Sequence, residues 1–135
     1  MNLHLDDTIA ALATVPAPGG RAIVRLSGPD VLAVFSAVFT STQPLTPLRR
    51  YLLDGELRLS GVYSTLPASL YVWPAPHSYT GQHVAELHTL SSPPLLELLI
   101  ADLLKAGARA AQPGEFTMRA FLAGKLDLTR AEAVL

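Results

Sequence analysis

Cysteine is absent from this 135-residue chain. That excludes a disulfide framework, a thiolate nucleophile and a cysteine-based zinc site, and it suits a reducing compartment; a cytoplasmic location is expected. Charge is also scarce, at 16% of residues with a net charge of −1. The ten Lys and Arg residues are dispersed, whereas a nucleic-acid surface needs clustered cations to displace phosphate counterions. Weak or no direct nucleic-acid binding by this chain follows. Residues 31–48 carry no charge but are apolar only as far as Phe39, before Thr, Ser, Gln and Pro enter. Such a run does not span a bilayer, and no membrane association is expected. The N-terminus holds Asp6 and Asp7 and no basic region, unlike a signal peptide.

Several catalytic signatures are missing as well. His4, His77, His83 and His88 lack the i,i+2 strand or i,i+4 helix spacing that converges on a metal, so no metal site is expected. Ser91-Ser92 has no flanking nucleophile-elbow glycines, which argues against a serine hydrolase. Gly124-Lys125 superficially suggests a phosphate loop. Walker chemistry requires a Gly five positions before that pair and a Ser or Thr after the Lys, and Arg119 and Leu126 stand there instead. No GTP, magnesium or potassium site is expected in this chain.

What is present is apolar: half the residues, rich for a small domain and enough to leave apolar surface for a partner. The length suits one domain with one core. Residues 8–14 and 22–26 are short apolar runs separated by Pro16-Ala17-Pro18-Gly19-Gly20-Arg21, which predicts two strands and a loop. Ser27-Gly28-Pro29-Asp30 supplies capping chemistry and a first-turn Pro for a helix carrying Val31, Leu32, Val34, Phe35, Val38 and Phe39. Residues 40–47 read as a surface connection. Asp54-Gly55, between Tyr51-Leu52-Leu53 and Glu56-Leu57-Arg58-Leu59, predicts a tight hairpin turn. Residues 69–73 and 83–88 read as further strands joined by a loop with Pro74, Pro76 and Gly81.

From Ser92-Pro93 an amphipathic helix is expected, with Leu95, Leu96, Leu99, Leu103 and Leu104 on one side, ending at Gly107. Residues 108–111 fit one more edge strand. The segment 112–132 then holds a Pro-Gly break, one short helix, a Gly stop and a lone Lys. A fresh helix start follows, with Thr129-x-x-Glu132 as capping box and Leu128 as staple. This scaffold places Lys125 at a corner. The last helix stops after about two turns, where an isolated helix needs about 12–15 residues, so continuation into a further domain is expected. The fold class is α+β: a small mixed or antiparallel sheet with packed helices.

Three charged residues sit oddly. Arg25 interrupts an apolar strand after Ala22-Ile23-Val24, and either a salt bridge to Asp30 or a neighbouring strand, or a ligand role, accounts for it. Glu86 likewise breaks Val84-Ala85-Glu86-Leu87 and needs a partner, since unpaired burial costs several kcal/mol. Pairing Glu86 with Arg25 satisfies both. Lys125 is either a cation past a helix end, favoured by the macrodipole, or a ligand contact. Tyr71, Trp73 and Tyr79 either line a flat ligand or pack at a core rim.

Three segments coincide in order: Ile23-Val24-Arg25-Leu26-Ser27-Gly28-Pro29, Pro74-Ala75-Pro76-His77-Ser78-Tyr79-Thr80-Gly81, and Pro113-Gly114-Glu115-Phe116-Thr117 running through Phe121-Leu122-Ala123-Gly124-Lys125-Leu126-Asp127-Leu128 to Ala131-Glu132-Ala133. Together they resemble the N-terminal domain of the tRNA uridine-modifying GTPases (MnmE/TrmE family). The resemblance covers nearly the whole chain. It implies a folate-binding α+β module, similar to the folate domain of glycine-cleavage aminomethyltransferases, that also makes the family's homodimer. Residues 1–128 would form that module and 129–135 the start of a helix leading to a following domain.

The resemblance further implies a 5-formyl-tetrahydrofolate or related tetrahydrofolate as one-carbon donor, with contacts carried over to Arg25, Glu86 and Lys125. It also implies work with a flavin-dependent partner protein on the wobble uridine of tRNA, through a GTPase domain this chain lacks; activity of the chain alone is not expected. Some positions depart from the family pattern. His88-Thr89-Leu90-Ser91-Ser92-Pro93 replaces a Gln or His, a small residue and His-Gly-Gly-Pro; Gln82-His83 replaces Glu-Asp; His77 replaces Asn; and the loop after the first strand has fewer glycines. These changes are expected around the pocket or the turn beside it. The alternative is therefore a divergent dimerisation module that has lost folate binding.

Overall fold

The computed structural model describes residues 5–14, 19–45 and 49–126. The predicted capping box at Thr129 and Glu132, Leu128, Asp127, the loop residues 16–18 and His4 lie outside the described residues. In chain order the elements are β1 (Ile9–Leu12), β2 (Arg21–Ser27), α1 (Val31–Ser36), β3 (Phe39–Thr40), β4 (Tyr51–Leu57), β5 (Leu66–Trp73), β6 (Val84–Leu90), α2 (Pro93–Lys105), β7 (Arg109–Ala110) and α3 (Glu115–Leu122). The strands form one mixed sheet in the order β3-β4-β5-β6-β2-β1-β7, antiparallel except for the β1–β7 edge pair. The expected mixed sheet with packed helices is what the chain forms.

Side chains alternate across a strand, so each strand sorts its residues onto two faces. Ala22, Val24 and Leu26 of β2, Leu53 and Leu57 of β4, Ala68, Leu70 and Val72 of β5, and Ala85 and Leu87 of β6 face one core. That core is roofed by Val31, Val34 and Phe35 of α1 and by Leu96, Leu99 and Leu103 of α2. Each Val, Leu or Phe among them contributes roughly 1.5–3 kcal/mol by leaving water. The other face carries Ile23, Arg25, Tyr71, Trp73, Glu86 and His88, only partly buried, and no helix of the α1–α2 layer covers it.

Three sequence expectations need correction. Asp54-Gly55 is not a turn: β4 runs straight through it, paired with β5 from Tyr51↔Val72 to Leu57↔Leu66. The glycine is there because β3, paired antiparallel with β4 at Phe39↔Leu57 and Thr40↔Glu56, comes close. A Cβ on Gly55 would lie 2.1 Å from the Thr40 carbonyl oxygen and 2.6 Å from Phe39 Cζ, a close backbone approach of the kind that mid-strand glycines serve. Secondly, α1 stops at Ser36, and Phe39 joins β3 rather than the helix. Asp30 caps α1 without a side-chain hydrogen bond, its N–H instead donating to Thr8 Oγ1 at 3.0 Å, and Pro29 precedes the cap rather than opening the first turn. Lastly, Leu104 is 40% exposed, off the buried stripe of α2.

The corner at Lys125 forms as expected through residue 126. Gly124 takes a left-handed φ of 76° beyond α3, and the Lys125 N–H donates to the Ala120 carbonyl at 2.9 Å, closing the helix with the bond that typifies a glycine stop. Gly55→Ala is expected to destabilise the chain by about 1–3 kcal/mol through overpacking against β3, read as a lower thermal unfolding midpoint. An unchanged midpoint would mean that β3 shifts freely.

Candidate functional site

Arg25 of β2 and Glu86 of β6 are directly opposed in the antiparallel register, on the face away from the core. Arg25 Nε and Nη2 both donate to Glu86 Oε2, at 2.7 and 2.6 Å. Among the described residues, Glu86 Oε1 has only His88 Nε2 at 3.3 Å, which leaves acceptor capacity on that oxygen. Pairing between the strands, not with Asp30, is thus how Arg25 is satisfied. The Phe116 ring of α3 lies over the Arg25 guanidinium, 5.9 Å to its centroid, a cation–π arrangement. Next along β5, Tyr71 stacks on Trp73 with centroids 6.1 Å apart and contacts the His88 ring at 4.4 Å.

Around the pair is a hollow of about 420 Å³ lined by Arg25, Trp73, Tyr79, Val84, Glu86, Phe116 and Thr117. Its size falls within the roughly 300–1,000 Å³ common for small-molecule sites, as does its mix of aromatic walls and few polar groups. The β5–β6 loop contributes Tyr79, whose hydroxyl is 3.0 Å from Thr117 Oγ1 of α3. Lys125, the third expected contact, does not line the hollow. It is exposed beside the same loop, its Cε 3.6 Å from where a Cβ on Gly81 would sit.

Sequence reasoning missed the charges that hold α3 in place. Arg119 and Glu115 are each 2% exposed. Arg119 Nη2 meets Asp7 Oδ1 at 2.5 Å and Glu115 Oε2 at 3.3 Å, while its Nη1 donates to the Asp7 carbonyl and to Gln82 Oε1, both at 2.9 Å. Arg109 of β7 donates to Glu115 Oε1 and Oε2 at 3.0 and 2.6 Å and to Asp7 Oδ2 at 2.5 Å. The i,i+4 spacing of Glu115 and Arg119 on a predicted helix was a usable signal; nothing local pointed to Asp7 or Arg109.

Residues 8–125 match the family described as GTP-binding protein TrmE N-terminus. The chain belongs to this family. It is similar to the tRNA modification GTPase MnmE of Rhodopirellula baltica, 47% identical over the whole chain and 29% of that protein. It also resembles the proteins of the same name from Laribacter hongkongensis, 43% identical over 97% of the chain and 28% of the relative, and Ralstonia nicotianae, 47% identical over 93% and 27%. The chain therefore spans under a third of the length of these relatives. Among the described residues of this TrmE N-terminal domain, no helix is long and apolar enough to cross a membrane, and no group of His, Asp or Glu is placed to hold a metal ion.

The departures from the family pattern separate in space. Leu90 lies at the far end of β6 from Val84 and, with Gly19, Gly20 and Arg21, borders a different hollow on the open face. Ser91 exchanges backbone hydrogen bonds with Gly19 and Gly20, at 3.2 and 2.7 Å. The 90–91 changes thus border that second hollow and the loop beside it, away from the Arg25–Glu86 hollow. Gln82 and His83, by contrast, sit in the loop that carries Tyr79.

Electrostatics favour the ionised network. Hydrogen bonding from Arg109, aided by Arg119, holds the Asp7 carboxyl below the usual aspartate range against the opposing effect of burial. Burial pushes Glu115 up, but hydrogen bonds from Arg109 and the Gln112 N–H, with the charges of Arg109 and Arg119, outweigh it and leave it below its ordinary value. Arg109 is raised by its bonds to Glu115 and Asp7. For a depressed carboxylate, the stabilisation is fully present above the unfolded pKa and is lost as pH falls through the folded one. The unfolding midpoint is therefore expected to decline as pH drops below about 4, the unperturbed carboxylate range, and Glu115→Gln should flatten that decline. A midpoint independent of pH between neutrality and strong acid would contradict the arrangement.

Proposed function

We propose that this domain binds a tetrahydrofolate one-carbon donor of the 5-formyl-tetrahydrofolate type in the hollow at Glu86, as part of a GTPase that modifies the wobble uridine of tRNA. The observation that carries this reading is the Arg25–Glu86 pair on the floor of an aromatic-walled hollow, with Glu86 Oε1 only lightly engaged. With Oε2 taken by Arg25, Oε1 is the oxygen open to the N–H or amino edge of a pterin, a charge-assisted bond. Arg25, which fixes the orientation of Glu86, also presents its guanidinium to ligand carbonyl groups. Trp73, Tyr79 and Phe116 supply flat apolar walls. Lys125, near the rim loop, is assigned to the carboxylate or carbonyl groups of the ligand.

In this reading residues 1–128 form the folate-binding and homodimerising unit, built like the folate domain of glycine-cleavage aminomethyltransferases, and residues 129–135 lead into the next domain. The relatives' shared name, tRNA modification GTPase, supports placing the chain in the same cytoplasmic process. GTP hydrolysis, the flavin-dependent partner protein and the tRNA contact would fall to the remainder of a longer protein. A ligand-free dimerisation module is the second reading, favoured by Leu52 and Leu90, 49% and 57% exposed on the uncovered sheet face.

Calorimetric titration of the chain with 5-formyl-tetrahydrofolate is expected to show saturable binding, which Glu86→Ala weakens by about 1–3 kcal/mol. No heat up to millimolar ligand, with the circular dichroism of a folded protein, would sink the folate reading. Light scattering at micromolar concentration is expected to report a dimer with or without folate. A monomer would remove dimerisation from both readings.

A further inference from the structure

The hollow has a rigid floor and two separate outer walls. Arg25, Val84, Glu86 and Trp73 stand on paired strands, but Tyr79 comes from the β5–β6 loop and Phe116 and Thr117 from α3. Paired strands hold their geometry through the ladder; a loop and a helix with no strand partner need another device. The polar contacts converge on Gln82.

Its side-chain oxygen accepts from Arg119 Nη1 at 2.9 Å and from Ser27 Oγ at 2.8 Å, and its amide donates to the Leu5 carbonyl at 2.7 Å. Its backbone carbonyl accepts from Ser78 Oγ, and its backbone N–H donates to Thr80 Oγ1 at 3.2 Å. Thr80, 1% exposed, is itself 2.7 Å from Ser27 Oγ. Residues 78–82 are thereby wound around Gln82 and attached to the end of β2. Arg119 lies on α3 one turn beyond Phe116 and is locked to Asp7 and Glu115. A second side-chain bond runs from α3 to this loop at the mouth of the hollow, between Tyr79 and Thr117.

We propose that Gln82 is the positioning residue of the hollow: by accepting from Arg119 it latches the Tyr79 loop to α3 and sets the spacing between Tyr79 and Phe116, although it touches nothing inside. The inference rests on the hollow being the ligand site only for its consequence on affinity; the latch itself is independent of any ligand. An acceptor oxygen at position 82 is the chemical requirement. Gln82→Glu preserves that oxygen and adds charge complementary to Arg119, whereas Gln82→Leu keeps the bulk and removes the acceptor; both lose the donor to the Leu5 carbonyl, so their difference isolates the Arg119 contact. A buried guanidinium that loses one neutral acceptor still has Asp7 and Glu115, so Gln82→Leu spares the ion pairs that hold α3.

Trp73, the chain's single tryptophan, lines the hollow and reports on it directly. Acrylamide quenching of its fluorescence is expected to rise by about twofold in Gln82→Leu, as the loop opens locally without global unfolding, and to stay at the parent value in Gln82→Glu. For 5-formyl-tetrahydrofolate, Gln82→Leu is expected to weaken binding about tenfold, the scale of one lost charge-assisted hydrogen bond, with Gln82→Glu restoring it. Should Gln82→Leu not fold, Arg119→Lys keeps the charge facing Asp7 and Glu115, shortens the reach to Gln82, and is expected to give the same increase in quenching. Unchanged quenching in the folded Gln82→Leu or Arg119→Lys variant overturns the latch, as does quenching in Gln82→Glu as high as in Gln82→Leu. If the parent chain binds no folate, the functional reading falls while the quenching comparison still decides the latch. Folate binding that is equal in all variants overturns the positioning role.

Discussion

A guanidinium withdrawn from water must be ringed by acceptors, and the placement of Arg119 obliges much of the structure around it. Removing one partner of such a buried pair costs about 3–5 kcal/mol because the other charge is stranded. The N-terminal segment at Asp7, the β7 edge at Arg109, the start of α3 at Glu115 and the β5–β6 loop at Gln82 all meet there. None of these pieces belongs to the apolar core under α1 and α2. The domain is therefore held by two unlike devices: oil on one face of the sheet, and a charge network at the end where the hollow opens.

That division explains which parts were legible in the sequence. Short apolar runs bounded by turn residues and the 3.6-residue stripe of α2 are local patterns, and they led to the strands at 22–26, 69–73 and 83–88, to the long helix and to an edge strand expected at 108–111, which forms at Arg109–Ala110. Arg25 and Glu86 were legible too, because a charge inside an apolar strand is an anomaly visible without coordinates. Asp54-Gly55 misled because its composition is that of a turn, while the need for glycine came from the close approach of Phe39 and Thr40 of β3, a tertiary fact. Phe39 misled because it continues the apolar spacing of α1 yet is drawn into β3. In the Asp7–Arg109–Glu115–Arg119 cluster only the i,i+4 spacing of Glu115 and Arg119 was a local signal; Asp7 and Arg109 are ordinary surface-type residues until the chain brings the two ends of the domain together.

The same contrast separates the two sets of family departures. Leu90 and Ser91 had seemed to threaten the site, but they lie at the opposite end of β6 and keep the pairing with Gly19 and Gly20 intact. Gln82 is the departure that sits among the contacts shaping the hollow. Position along a strand, about 3.3 Å per residue, matters more here than nearness in sequence to Glu86.

The parallel pairing of β1 with β7 has a consequence for synthesis. Ile9 faces Arg109 in register, with the Thr8 and Ala10 carbonyls accepting from Arg109 and Ala111, and Asp7 waits for Arg109 and Arg119, 102 and 112 residues later. At translation rates of about 5–20 residues per second, roughly 6–22 s separate the emergence of Asp7 from that of its last partner. During that interval β1 can form its hairpin with β2, yet its outer edge and its aspartate stay open. The last quarter of the chain is thus what closes the first strand, and ribosome-bound intermediates lacking it would present an unpaired β edge to their surroundings.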